Sequence, residues 1–260
     1  MPVVVELFSG TARITRALEK CGRMCLAWDV AYGSKYDLCD PAARRLLVGW
    51  LAAGLISAIW IAVPCQSFTT ARDVPPGPPP LRSDARPLGL TDLSVNDQLL
   101  VRRGNMFMRF VALLFQRCLF LDIPVVVENP ARSRIWLCPP VAALLALRCT
   151  KFVVTDFCGW QALPYRKSTA FMSYGVDLEH WSHVQCCGSF QKCSFTGRPH
   201  RPLRGRTPQG RWWTKVAEPY PFRLAYSAAR AIDSAIAMRR FRSLRALGVA
   251  GHWSLQDTSF

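Results

Sequence analysis

The chain has 260 residues, half of them hydrophobic, enough for one substantial core with a small appendage. Its 33 Lys and Arg outweigh 17 Asp and Glu, and the net charge of +16 favours a polyanionic partner, nucleic acid ahead of an anionic membrane surface. Eleven cysteines, an odd number in a long chain, argue against a secreted disulfide framework and for reduced thiols.

Residues 3 to 9, VVVELFS, form an apolar strand; Gly10 follows, and TARITRALEKCG then carries apolar residues at helical spacing with Gly22 as its stop. The opening MPVVVELFSG reads as a strand and not as a basic leader, so the expected compartment is intracellular, cytoplasm or nucleus. RMCLAWDV (23 to 30) is a second strand ending in Asp29. DPAARRLLVGWLAAG (40 to 54) is a helix capped by Asp40, and LISAIWIAVP (55 to 64) is the next strand. Together these make an apolar run of membrane length over 46 to 63, but its two glycines and helix-to-strand arrangement predict a buried pair, not a span. The proline-rich stretch over 73 to 89 is too polar and kinked for core. A helix over 104 to 121, a strand over 123 to 130 and a helix over 139 to 147 follow, then KFVVTDFC and STAFMSYG as strands and a final helix over 222 to 246. Strands alternating with helices predict an α/β, Rossmann-like fold with a mostly parallel sheet, helices on both faces and chemistry at the strand carboxyl ends. The expected division is a catalytic domain over 1–178, a Cys/His/Arg-rich segment over 179–215 and a C-terminal helix over 216–260 that packs on the core.

Three strand ends carry candidate chemistry. After the first, Ser9, Gly10 and Thr11 open a helix whose N-terminus favours an anionic group such as a carboxylate. Asp29, about twenty residues on, suits two ribose hydroxyls, and Asp37 suits an adenine amino group, so the pattern fits a nucleoside cofactor. No G-x-G-x-x-G is present, and ordinary capping would give the same pattern. At the third strand end stands Pro64-Cys65-Gln66. A thiolate there attacks an electron-poor carbon if a cation lowers its pKa, and Arg72 and the basic loop are the candidate cations; a structural buried thiol is the plain alternative. In VVVENPARSRIW (124 to 136) three valines deliver Glu128 and Asn129 to a cleft edge. A partly desolvated Glu holds its proton and can donate it to a ring nitrogen; a strand-end ion pair with Arg132 or Arg134 is the alternative.

In this order, ELFSG, VPCQSF, VVVENP and GWQALPYRKSTAF resemble the first, fourth, sixth and eighth motifs of the cytosine carbon-5 DNA methyltransferases, over roughly residues 3 to 175. Pro130 after Asn129 is similar to a divergent branch of phage and mobile-element versions. The resemblance implies an S-adenosylmethionine-dependent methyltransferase fold, Cys65 as nucleophile on carbon 6 of cytosine, and Glu128 protonating N3. It also implies Gln66 and Asn129 as supporting residues. The cofactor, S-adenosylmethionine, would lie over Phe8, Ser9, Gly10, Thr11 and Pro64, with Asp29 on its ribose and Asp37 near its adenine. The implied partner is DNA, with the target base flipped out. Tyr165, Lys167 and Thr169 stand where the eighth motif carries Gln-x-Arg-x-Arg, so Arg166 is the candidate replacement for the missing arginine. Three alternatives stay open: a catalytically silent nucleic-acid-binding protein of the same fold, a transfer-RNA cytosine methyltransferase, and a piece of a larger mobile-element polyprotein.

Cys186, Cys187, Cys193 and His200 could form a tetrahedral zinc site, with His183 as a spare; buried reduced cysteines in a loop are the alternative. RPHRPLRGRTPQGRWWTK then mixes cations for phosphates with aromatics for bases. The basic end of the last helix, MRRFRSLRA, is a candidate phosphate contact.

Overall fold

Valine- and isoleucine-rich runs make the centre of a six-stranded sheet in the computed structural model, which describes residues 2–75, 77–188 and 192–246. In chain order the elements are β1 (Val3–Leu7), α1 (Arg13–Lys20), β2 (Cys25–Trp28), α2 (Pro41–Ala52), β3 (Ile56–Ala62), α3 (Val95–Phe120) and β4 (Val125–Pro130). They continue with α4 (Pro139–Leu145), β5 (Lys151–Asp156), α5 (Phe157–Trp160), β6 (Ser168–Tyr174), α6 (Trp213–Val216) and α7 (Phe222–Ala246). The sheet order is β2-β1-β3-β4-β6-β5. The first four strands are parallel, and β6 runs antiparallel to both β4 and β5. The chain is therefore α/β with a mostly parallel sheet, and the strand order reverses between β1 and β3. At such a switch point the crevice beyond the strand carboxyl ends is the favoured ligand site.

Strand alternation divides the core. Val5, Leu7, Ile59, Ile61, Val125 and Val127 face one layer, built with α2, α3 and α4. Val4, Ala58, Trp60 and Val126 face the other, where Ile14 and Leu18 of α1 meet Leu224, Ala228 and Ile232 of α7. The expected docking of the last helix on the sheet is thus observed. The side chains of 242–246, and all of 247–260, lie outside the described residues, and with them most of the basic helix end. The long apolar run resolves into α2, capped by the Asp40 carboxylate on the Ala42 N–H at 2.8 Å, followed by β3. Among the described residues no helix is long and apolar enough to cross a membrane.

Several elements differ from expectation. Helix α3 begins nine residues early because Ser94 and Asp97 form a reciprocal cap: the Asp97 N–H donates to Ser94 Oγ at 3.2 Å and Ser94 Oγ–H to the Asp97 carboxylate at 2.8 Å. Cys158 leaves the strand for the short turn α5. The proline-rich segment is not all surface, since Leu81 and Arg82 are each 1 % exposed. Helix α1 opens only at Arg13. Its N-cap Ala12 is left-handed (φ 51°) and caps nothing with its side chain.

The cap comes from across the fold. Glu6 of β1, 1 % exposed, accepts both the N–H and the Oγ–H of Thr15 on Oε2, each at 2.7 Å. A protein carboxylate therefore stands at this helix terminus. Burial pushes the Glu6 carboxyl from 4.5 to about 7, against the bonds from Thr15 that pull it down. A raised folded-state value means that stability present below pH 4.5 is lost as pH rises through 7, by about 3 kcal/mol. Urea unfolding of wild type and Glu6→Gln from pH 4.5 to 8 should show the wild type losing that amount relative to the variant. Parallel pH curves would remove the assignment.

Candidate active site at the β1, β3 and β4 ends

Glu128 lies beside Ala62 in the β3–β4 pairing, so the end of β4 stands against the segment that leads to Cys65. Asn129, fully buried, donates its Nδ2–H to the carbonyl of Val63 at 2.7 Å and fixes the two strand ends to each other. Cys65 is half-buried in a turn closed by the N–H groups of Phe68 and Thr69 on its carbonyl, both at 2.9 Å. Gln66 points outward and is exposed. Pro64, Cys65, Glu128 and Asn129 are thus gathered at one end of the sheet.

The electrostatics of the pair are unusual. Glu128 is 7 % exposed and burial raises its carboxyl, while the Lys167 charge and a hydrogen bond from Tyr220 pull it down. Tyr220 Oη donates to Glu128 Oε2 at 3.2 Å and accepts from the Trp60 indole N–H at 3.1 Å. Tyr220 precedes α7, and sequence reasoning missed it because nothing near it resembles a site. Glu128 Oε1 and Asn129 Oδ1 are buried and make no hydrogen bond to a described residue. Burial likewise raises the Cys65 thiol; Lys167 pulls it down, whereas Glu128 and Glu218 push it up. Lys167, in the middle of the eighth-motif match, is therefore the cation that acts on both groups. Arg72 is spent elsewhere, on Pro79 O at 2.8 Å and Asp97 at 3.3 Å. Arg166, the expected replacement for the missing arginine, pairs with buried Asp156 at 3.1 Å and sits beside the cysteine cluster.

The loop after Cys65 is clamped. Arg82 gives its Nε–H to Ser67 O and an Nη2–H to Ser67 Oγ, both at 2.9 Å, and its other group to Pro87 O at 2.6 Å and Asn105 Oδ1 at 2.7 Å. Its guanidinium stacks 3.9 Å from the Phe68 ring. Gly104 of α3 makes room for this, because a Cβ there would lie 2.3 Å from Ser67 Oγ. Arg134 forks onto Asp73 at 2.6 and 3.0 Å and reaches Asp84 at 2.9 Å, while its backbone N–H holds Phe68 O at 2.9 Å. The anchored proline-rich segment is a brace for the cysteine turn.

At the β1 and β2 ends Phe8 and Gly10 take left-handed backbone (φ 55° and 51°). Ser9 is buried, with an Oγ that makes no hydrogen bond to a described residue; Thr11 is exposed. Asp29 accepts the N–H groups of Gly10 and Ala31, each at 2.9 Å, and so couples the two strand ends. Asp37 accepts the Cys39 N–H at 2.8 Å. Both acids are half-buried and keep lone pairs for a ligand.

The cysteine cluster is corrected at one position. Cys186, Cys193 and His200 converge, but their fourth member is Cys158 of α5, not the exposed Cys187. The four ligand atoms lie within 4.8 Å of one another, a set able to hold a metal ion. The Cys193 thiol, though buried, is drawn down to about 6 by hydrogen bonds from Thr196, the Phe195 backbone and His200. Beyond it, Arg201 stacks on Trp213 at 5.2 Å and Arg206 on Trp212 at 4.5 Å, so the expected cation and aromatic groups are paired with each other.

No protein-family model matches the chain, and no curated protein matches it.

Two outcomes follow from this geometry. Arg82→Met strips a buried cation from five acceptors and should destabilise the fold by about 3 kcal/mol or more, read as a lower urea midpoint. Lys167→Met should raise the Cys65 thiol further and slow its alkylation by iodoacetamide at pH 8 by about tenfold for each unit gained, while Lys167→Arg keeps the rate. An unchanged rate in the methionine variant would mean Lys167 does not act on Cys65.

Proposed function

We propose that the chain transfers a methyl group from S-adenosylmethionine to carbon 5 of cytosine in DNA through a covalent adduct on Cys65. The observation that carries this reading is the Asn129-to-Val63 bond, which locks a thiol and a proton-holding carboxyl at adjacent strand ends of the switch-point crevice. The residues around that crevice fit the cofactor. Ser9 Oγ and the open turn at Gly10 can take its amino-acid end, and half-buried Asp29 and Asp37 its ribose and adenine. When bound, that cofactor supplies an electrophilic methyl group. The +16 charge and the Arg/Trp segment favour a nucleic-acid substrate.

The chemistry expected of the chain's own residues is a shared proton inventory. Glu128 in its neutral form removes one of the charges that hold the Cys65 thiol protonated, and Lys167 then favours the thiolate. Cys65 Sγ bonds to carbon 6 of a flipped cytosine. As the 5,6 double bond opens, Glu128 gives its proton to N3 and the electron pair gathers at carbon 5, which would take the methyl group as the methyl–sulfur bond of the bound cofactor breaks and its electron pair stays on sulfur. Solvent water then takes the proton from carbon 5, that bond's electron pair restores the 5,6 double bond as the Sγ–carbon 6 bond breaks to release the Cys65 thiolate, and N3 hands its proton back to Glu128. Tyr220 holds the carboxyl in place throughout, and Asn129 holds the strand end that carries Cys65.

Incubation with labelled S-adenosylmethionine and mixed-sequence DNA, followed by nucleoside analysis, should yield 5-methyldeoxycytidine. Cys65→Ser should abolish it, and Glu128→Gln should lower it by about 100-fold or more. Tyr220→Phe removes a bond that pulls the Glu128 carboxyl down, so the alkaline limb of its rate profile should move to higher pH. Label on adenine or on the cytosine amino group would contradict the reading; label on RNA alone would move the substrate to the transfer-RNA alternative.

A further inference from the structure

We propose that Cys158, Cys186, Cys193 and His200 bind one zinc ion that fastens the arginine-rich segment to the rim of the sheet. This site lies apart from Cys65 and stands whether or not the methyl-transfer reading does.

The donor set is the first reason. Three thiols and an imidazole within 4.8 Å are a structural zinc complement, and Cys186 Sγ to His200 Nε2 is 3.9 Å. A tetrahedral site with ordinary zinc–ligand distances has sulfur and nitrogen about 3.6 Å apart and sulfurs about 3.8 Å apart, so binding needs only a small contraction. The surroundings are the second reason. The Ser194 N–H at 3.3 Å and its hydroxyl at 3.5 Å both point at Cys186 Sγ, which places donors at a sulfur that a thiolate would use. The Cys186 N–H binds Asp156 at 2.6 Å, and Asp156 in turn pairs with Arg166 at 3.1 Å. Three thiolates and a divalent cation leave one net negative charge, and the Arg166 guanidinium, which senses both Cys158 and Cys186, offsets it. A third reason is how Cys158 arrives. A Cβ on its neighbour Gly159 would lie 2.4 Å from Val184 Cγ1 and 2.9 Å from the Phe195 ring, so glycine is what lets Val184 and Phe195 pack against α5.

The bonds between segments explain what the ion would do. The Asp156 N–H and Thr155 Oγ–H both bind Val184 O, and the Arg201 N–H binds Pro164 O. Zinc held by Cys158 together with Cys186, Cys193 and His200 would lock this seam and make metal binding part of folding. Arg166 would then be held beside the metal by its pair with Asp156.

Metal analysis of the whole chain purified under reducing conditions should find about one zinc per chain. Cobalt in its place should give the visible absorption of a tetrahedral thiolate site. Cys187→Ser should keep the metal, and Cys158→Ser should release it or weaken it by at least about tenfold. Should Cys158→Ser not fold, the wild-type stoichiometry and cobalt spectrum decide. A metal-free wild type with these thiols freely alkylated, a disulfide among them, or zinc lost from Cys187→Ser but kept by Cys158→Ser would each overturn the proposal.

Discussion

Glu128 is a carboxyl group at the end of a central strand, and much of the molecule is arranged around its burial. Left alone, an ionised carboxylate there would be costly, so it keeps its proton or finds donors. Trp60 of β3 and Tyr220 reach it as a short relay, and Tyr220 can do so only because α7 docks against α1 and places the residues before it over the sheet. The last helix is therefore more than cover for an apolar face. Its packing delivers a buried phenol to the carboxyl that the proposed chemistry needs in neutral form.

A second carboxyl, Glu6, caps the N-terminus of α1 through Thr15, and its burial shifts it in the same direction. Two buried acids on one face of the sheet, with raised values, make the fold sensitive to alkaline pH near its candidate site. On the opposite side Arg82 and Arg134 act as internal braces: one buried guanidinium spans the cysteine turn, the proline-rich segment and α3, and the other ties that segment to the residues after β4. Rigid support of this kind is what keeps a nucleophile within reach of a proton donor as the substrate changes shape.

The sheet was legible because β1, β3 and β4 are apolar runs with punctuated ends, and so were the strand-end residues Cys65, Glu128 and Asn129. Other features were hidden for physical reasons. The Ser94–Asp97 cap was present in the sequence, but Arg102, Arg103 and Gly104 interrupt the apolar pattern, so the first turns of α3 read as loop. Leu81 and Arg82 sit among prolines, and an arginine that stacks on Phe68 while serving five acceptors has no local signature. Cys158 was invisible as a cluster member because its partners lie about thirty residues away and the contact depends on Gly159. The influence of Lys167 on Cys65 and Glu128 had no local signature, because the three come together only when β3, β4 and β6 pair.

The most direct test of the central claim is covalent trapping on DNA that carries 5-fluorocytosine, with S-adenosylmethionine present and the products run on a denaturing gel. Fluorine at carbon 5 blocks the last elimination, so a working Cys65 stays attached to the base. A protein–DNA band that depends on the cofactor and vanishes in Cys65→Ser is the expected result. DNA and cofactor both retained by the native protein, with no covalent band, would contradict methyl transfer and leave a binding protein built on the same sheet.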